Sequence, residues 1–224
     1  MYLRRIRTLM DEMLKPPGTP LQDLHYEPRI QELVAQIAPD AALDAAKWGS
    51  DAWGNGSMTS HCCPQTLLQA AEEITSFYLP ERRRQLFSRL APGAREIPDA
   101  QPPGTIVAIG AVEVNPVSGN RDEQYVQLMN PSGFAVDISG WTLTSSVNAS
   151  APLFTFRGGT VIPATGILLV AVNRPAFRAR RYYPTGGLGL FIVGDCTRRL
   201  SEHGETLTLT DRQGQKVTSA ATAR

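Results

Sequence analysis

EQYVQLMNPSGFAVDISGWTLTSS, residues 123–146, decides the architecture. In its first part, Tyr125, Gln127 and Met129 fall on one face of an extended chain, and Val126 and Leu128 fall on the other. Successive strand side chains point to opposite faces, so this alternation reads as a strand. Pro131-Ser132-Gly133 follows as turn chemistry. DISGW makes a second turn, with Trp141 straight after Gly140 at the head of a new extended run, WTLTSS.

The same period-2 pattern extends outward from this stretch. TIVAIGAVEVNP precedes it; LFTF, TVI, GILLVAV, LGLFIV, ETLTLTD and QKVTSAA come after it, separated by turns such as Gly158-Gly159. Many short strands at near-regular spacing predict an antiparallel sandwich. Residues 167–172 are the most apolar run and should form a central strand covered on both faces. Asp211-Arg212-Gln213-Gly214 reads as a hairpin turn. The only helix expected in this half is a single turn at residues 175–180.

The first ninety residues obey the other period. Leu3, Ile6, Met10, Met13 and Leu14 recur at helical spacing, and Pro16-Pro17-Gly18 stops that helix. Ile30, Leu33, Val34 and Ile37 form a second stripe, with Pro28 in its first turn, where the missing N–H has no intrahelical partner anyway. Asp40 is expected to cap a third helix at residues 41–48. SDAWGNGSMTSHCC reads as loop, and a further helix is predicted from about residue 64 to 78. Pro80 should restart or kink it before a last helical stretch at 81–90. The chain is therefore expected to be α+β: a helical segment at 1–90, a Pro/Gly-rich linker at 91–104, a β-sandwich at 105–218 and a frayed end at 219–224.

Composition narrows the function classes. A formal net charge of +1 gives the whole chain no strong pull toward nucleic acid or membrane. No apolar run approaches the roughly 18 residues of a membrane helix. MYLRRIRTLM is basic then apolar, but Asp11, Glu12 and Lys15 interrupt it, so it is not read as a signal peptide. Cys62, Cys63 and Cys196 form neither a disulfide framework nor a CxxC pair.

Several spaced elements, in order, resemble the lamin tail domain family: IVAIGAVEVNP, DEQYVQLMNPSGFAVDISGWTL, FTFRGGTVIPATGILLVAV and LSEHGETLTLTDRQGQKV. The resemblance runs over residues 105–217 and implies an immunoglobulin-like sandwich acting as an interaction module. It departs from the family pattern at Gln127, where a glutamate is common, and in the short closing strand. Trp141 recurs at this turn in the family and is read as a packing pin rather than a ligand platform, since an aromatic there can bury its rings. YLRRIRTLMDEML, DAALDAAKWG and ITSFYLPERRRQLF resemble the closing segment of CotH-type domains, atypical protein kinases often exported and often fused to lamin tail domains. That family places its nucleotide-binding lysine and metal-binding aspartates upstream of the segment matched at 2–87. The resemblance therefore brings no catalytic residue to this chain, and implies a bacterial, extracellular or cell-surface setting.

No motif points to catalysis, a cofactor or a metal. Gly54–Ser57 lacks the Lys-Ser/Thr ending and the preceding strand of a phosphate loop. His61-Cys62-Cys63 has no second ligand pair nearby, and His25, His61 and His203 have no GxSxG context. Glu202 and Glu205 around His203 read as a solvated turn, and Arg82-Arg83-Arg84 as the wet face of a helix. Asn115 and Asn130 should satisfy turn backbone. The strongest functional candidate interleaves basic and aromatic side chains in one loop: Arg174, Phe177, Arg178, Arg180, Arg181, Tyr182 and Tyr183. That composition suits polyanion contact with stacking; its plainer reading is a solvated loop with Phe177 tucked under the sandwich. The sequence thus predicts a non-catalytic interaction or scaffold module with a protein, glycan or nucleic-acid partner, and self-association through the helical segment. The alternative is the accessory end of an atypical kinase whose core lies upstream.

Overall fold

The computed structural model describes residues 1–48, 66–90, 97–187 and 189–222, with the side chain of Trp48 excepted. The loop readings at 50–63, His61-Cys62-Cys63 included, lie outside the described residues, as does 91–96 of the expected linker. The chain divides into two compact units, Ile6–Ala100, and Gln101–Arg224 together with Met1–Arg5.

Helix α1 (Tyr2–Leu9) runs into a wide π-helical turn, Met10–Leu14, and the chain then turns at Pro16-Pro17-Gly18. Helix α2 spans Tyr26–Trp48 without a break, with Pro39 inside it. The expected boundary at Asp40 is therefore corrected. Proline removes one hydrogen bond from a helix interior, but the alanine-rich AALDAA just after it favours helix strongly enough to carry it through. Helix α3 (Leu67–Glu73) begins later than expected. Thr66 caps it: its hydroxyl accepts from the Gln69 amide at 3.2 Å, and the Gln69 side chain accepts from the Thr66 amide at 2.9 Å. A π-helical turn, Ile74–Tyr78, leads into α4 (Leu79–Arg84), so the helix widens just before Pro80, whose N–H is missing. Arg83 overturns the wet-face reading of its triplet. It is buried, donating from Nε to the Leu14 carbonyl at 2.7 Å and from Nη2 to the equally buried Glu27 at 2.9 Å. Arg82 and Arg84 stay exposed.

The second unit is the expected immunoglobulin-like sandwich. One sheet has the order β1-β2-β7-β8, formed by Ala108–Glu113, Tyr125–Met129, Ile167–Ala171 and Ile192–Gly194. The other has the order β10-β9-β4-β5, formed by Lys216–Ala221, Thr206–Thr210, Thr142–Ser145 and Phe154–Thr155. A short pair, β3 (Val136–Asp137) with β6 (Val161–Ile162), completes it. Inward residues alternate as the sequence requires. Val126 and Leu128 of the first sheet meet Leu143, Leu207 and Leu209 of the second in one core, and Trp141 lies in it at 6% exposure. The DISG turn aims the indole inward: Gly140 adopts φ +76°, and Trp141 N–H closes the turn on the Ile138 carbonyl at 3.1 Å.

Three features differ from the sequence reading. The β7–β8 pair is parallel, not antiparallel, because the chain crosses back over the sheet between them, and a crossover joins parallel strands. The closing strand is not frayed at 219: β10 pairs with β9 as far as Ala221, and Thr222 N–H reaches the Glu205 carbonyl at 2.8 Å. Glu205 is not solvated. Its buried carboxylate accepts from the Ser145 hydroxyl, from Ser201 N–H at 2.8 Å and from Arg198 at 3.0 Å. Asn130 does satisfy its turn: it is buried, donates to the carbonyls of Phe134 and Pro163 at 2.7 Å each, and accepts from Ser132 N–H at 3.0 Å.

Emptying the Trp141 pocket removes a large buried aromatic. Trp141→Ala is expected to lose about 3–5 kcal/mol of unfolding free energy, measured by urea denaturation. A loss under about 1 kcal/mol would contradict the packing role given to it.

Candidate interaction surface

Strand β7 needs cover on two faces. Leu168 and Val170 enter the main core, while Leu169 and Ala171 point the other way, into a second cluster with Tyr125 and Phe177. The cover is helix α5 (Arg174–Arg178). Asn173 starts it by accepting from Ala176 N–H at 2.9 Å, and Pro175 sits in its first turn. Phe177 is wholly buried and meets the Tyr125 ring edge-on, with centroids 5.5 Å apart.

Arg180 then folds back under the next loop. Its guanidinium is fully buried, 5.4 Å from the Tyr125 centroid and 5.1 Å from that of Phe177. Nη1 pairs with the carboxylate of Glu113 on β1 and donates to the Glu123 carbonyl at 2.8 Å. Nε and Nη2 donate to the carbonyls of Pro184 at 3.1 Å and Tyr183 at 3.3 Å. Arg178 grips the same loop further along, donating from Nη1 to the Gly186 and Gly187 carbonyls at 3.2 and 2.7 Å. Gly186 is required by proximity: a Cβ there would stand 2.3 Å from the Phe177 carbonyl oxygen. Burial raises the Tyr125 hydroxyl above its ordinary pKa, with the Glu113 charge adding and Arg180 opposing. Outside the loop, Arg174 holds Asp195 through its own N–H at 3.0 Å and its side chain at 2.7 Å. Those two hydrogen bonds, backbone first, pull the Asp195 carboxyl below its usual value.

The seven sequence candidates therefore separate. Phe177 and Arg180 are internal and hold the loop in place. Arg174 and Arg178 are exposed, but their head groups are engaged with Asp195 and with loop carbonyls. Arg181, Tyr182 and Tyr183 face solvent, Tyr183 at 93% exposure and Tyr182 at 50%. Among the described residues Arg181 has no hydrogen bond or ion pair, and Arg178 has no carboxylate partner. The loop therefore carries two positive charges that no acid here offsets. Sequence reasoning passes over Glu113 and Gly186; their parts in this clamp depend on long-range packing that no local pattern encodes. Cys196, the free thiol among the described residues, is partly buried against the core, and desolvation pushes its pKa up to about 12. No group of three His, Cys, Asp or Glu among the described residues is placed to hold a metal ion.

Comparison with known families decides the identity of this unit. The family model of the lamin tail domain matches residues 101–223, more than half of the chain. The chain belongs to the lamin tail domain family. The lamin tail domain is a non-enzymatic, immunoglobulin-like fold. No curated protein matches the chain. No helix among the described residues is long and apolar enough to cross a membrane.

Two adjacent arginines should respond very differently to truncation. Arg180→Ala strands Glu113 and opens the cluster, and is expected to lose about 3–5 kcal/mol in chemical denaturation. Arg181→Ala should stay within about 0.5 kcal/mol of the parent. Equal effects would show that the clamp is not where the structure puts it.

Proposed function

We propose that this chain is a non-catalytic interaction and scaffold module, presented at the cell surface by a CotH-like protein. Its lamin tail domain meets a protein, glycan or nucleic-acid partner through the loop tip Arg181-Tyr182-Tyr183. The observation that carries this reading is the clamp. Arg178 and Arg180 hold the main-chain carbonyls of residues 183, 184, 186 and 187 from within. The loop is thus ordered before any partner arrives, which removes one of the main costs of binding. What it presents, two tyrosines and an unpaired arginine, is the composition that dominates contact energy at interfaces. A tyrosine 93% exposed contributes little to the fold that displays it.

The CotH-type setting rests on the sequence motifs of residues 2–87, since the family match begins at residue 101. Self-association through the helical unit is supported by the large apolar side chains it leaves exposed, Leu43, Leu68, Phe77 and Tyr78 among them.

A photo-crosslinking amino acid placed at position 183, in cells that make the protein, should trap an adduct. The same group at Val117, exposed on another loop, should not. Digestion of the adduct with protease, nuclease or glycosidase then names the partner class. Equal capture at both positions, or none at 183, sinks the proposal.

A further inference from the structure

The turn that seats Trp141 also carries a second, unrelated arrangement of polar groups. The main chain of Asp137 is fixed from one side: its N–H donates to the Gln101 side chain at 2.8 Å, and its carbonyl accepts from the same amide at 3.3 Å. The Ser139 carbonyl is held by Arg212, from Nη2 at 2.8 Å and Nε at 3.0 Å. The carboxylate of Asp137, 1% exposed, is shared. Oδ1 accepts from Ser139 N–H at 2.9 Å and from the Ser139 hydroxyl. Oδ2 is turned to the remaining side, and there it meets Arg5, whose Nη1 lies 3.2 Å from it and 3.3 Å from Ser139 Oγ. Arg4, beside it, donates from Nε to the Ala135 carbonyl at 2.9 Å and lays its guanidinium 5.8 Å from the centroid of the Phe134 ring. Gly158 completes the wall: a Cβ there would come within 3.4 Å of Arg5 Nη2.

Acceptors and donors have different origins. The carboxylate, hydroxyl, carbonyl and ring all lie within the lamin tail domain match, at residues 134–139. The two guanidinium groups come from positions about 130 residues earlier, outside that match. Asp137 and Ser139 are held by Gln101, by Arg212 and by each other, all within the family match, so this part of the cradle is fixed without Arg4 or Arg5. A buried carboxylate next to a hydroxyl suits the planar, multiply donating head of arginine better than the point charge of lysine. The two guanidinium groups differ in exposure: Arg4 is buried, at 5%. The Arg5 side chain keeps 26% of its surface in water. A second guanidinium, Arg212, lies near enough for the charge of Arg5 to lower its pKa, secondarily to burial.

We infer that the DISG turn is a receptor for two adjacent arginines, filled in this chain by Arg4 and Arg5. A partner protein carrying such a pair binds the same cradle when these two are withdrawn. The site is separate from the loop at Arg181–Tyr183, and neither proposal depends on the other.

The test uses the full chain with its own arginines removed, Arg4→Ala with Arg5→Ala, titrated by calorimetry with the peptide YLRRIR. This variant should bind the peptide at least ten times more tightly than the parent, whose site is already filled. Adding Asp137→Asn should abolish that gain, and the peptide YLKKIK should bind the double variant several-fold more weakly than YLRRIR. Circular dichroism of each variant establishes that it is folded. If Asp137→Asn unfolds the chain, the comparison of arginine and lysine peptides on the folded double variant decides. Equal binding by parent and double variant, no binding by a folded double variant, retained binding after Asp137→Asn, or indifference to lysine would each overturn the inference.

Discussion

A strand that is apolar on both faces must be covered on both. In a two-sheet sandwich, the second sheet covers only one. β7 is such a strand, and its second face dictates how the chain runs from residue 173 to 194. Leu169 and Ala171 need a lid, and the lid is α5 with Phe177. Placing a helix there sends the chain across the sheet, so β8 returns parallel to β7. The segment between helix and strand must then lie on the surface, and Arg178 and Arg180 fasten it down. The exposed tip at Arg181–Tyr183 is thus a consequence of covering a hydrophobic face, placed by packing before any partner is considered.

Three arginine–carboxylate pairs recur as fasteners: Arg83 with Glu27, Arg180 with Glu113 and Arg198 with Glu205. Each takes at least one charge out of water, and the desolvation cost of such a pair offsets much of its attraction. Their value lies in direction rather than strength. Arg83 and Arg180 each direct further N–H groups to backbone carbonyls, and Glu205 accepts from a backbone N–H. In each case a charged side chain fixes where the backbone runs between regular elements, a task that apolar contacts, which have no preferred direction, do poorly.

These fasteners also mark where sequence reading stops. Alternation in residues 125–129, the glycine before Trp141 and the run at 167–172 are local patterns. Each arises from side-chain geometry within a few residues, so strands, core and family were legible from them. Whether an arginine is wet or buried is not local. Arg82, Arg83 and Arg84 are chemically identical neighbours, yet only the middle one meets a carboxylate 56 positions away. The same holds for the interaction loop: its composition drew attention to seven residues, but separating Phe177 and Arg180 from Arg181–Tyr183 required knowing which way β7 faced. The continuity of α2 through Pro39 is a third kind of difference, in which neighbouring alanines outweigh one unfavourable residue.

Gly186 gives the loop an uneven tolerance to sequence change. Its backbone lies so close to Phe177 and Arg178 that any side chain must displace the loop, whereas three to five positions earlier the side chains project into water and touch little. Related proteins built on this plan could therefore exchange the residues at 181–183 freely and acquire new partners, while the glycine stays. A constant glycine after a drifting tip would be the trace that such a history leaves in an alignment, and a place where new specificities could be installed without disturbing the fold.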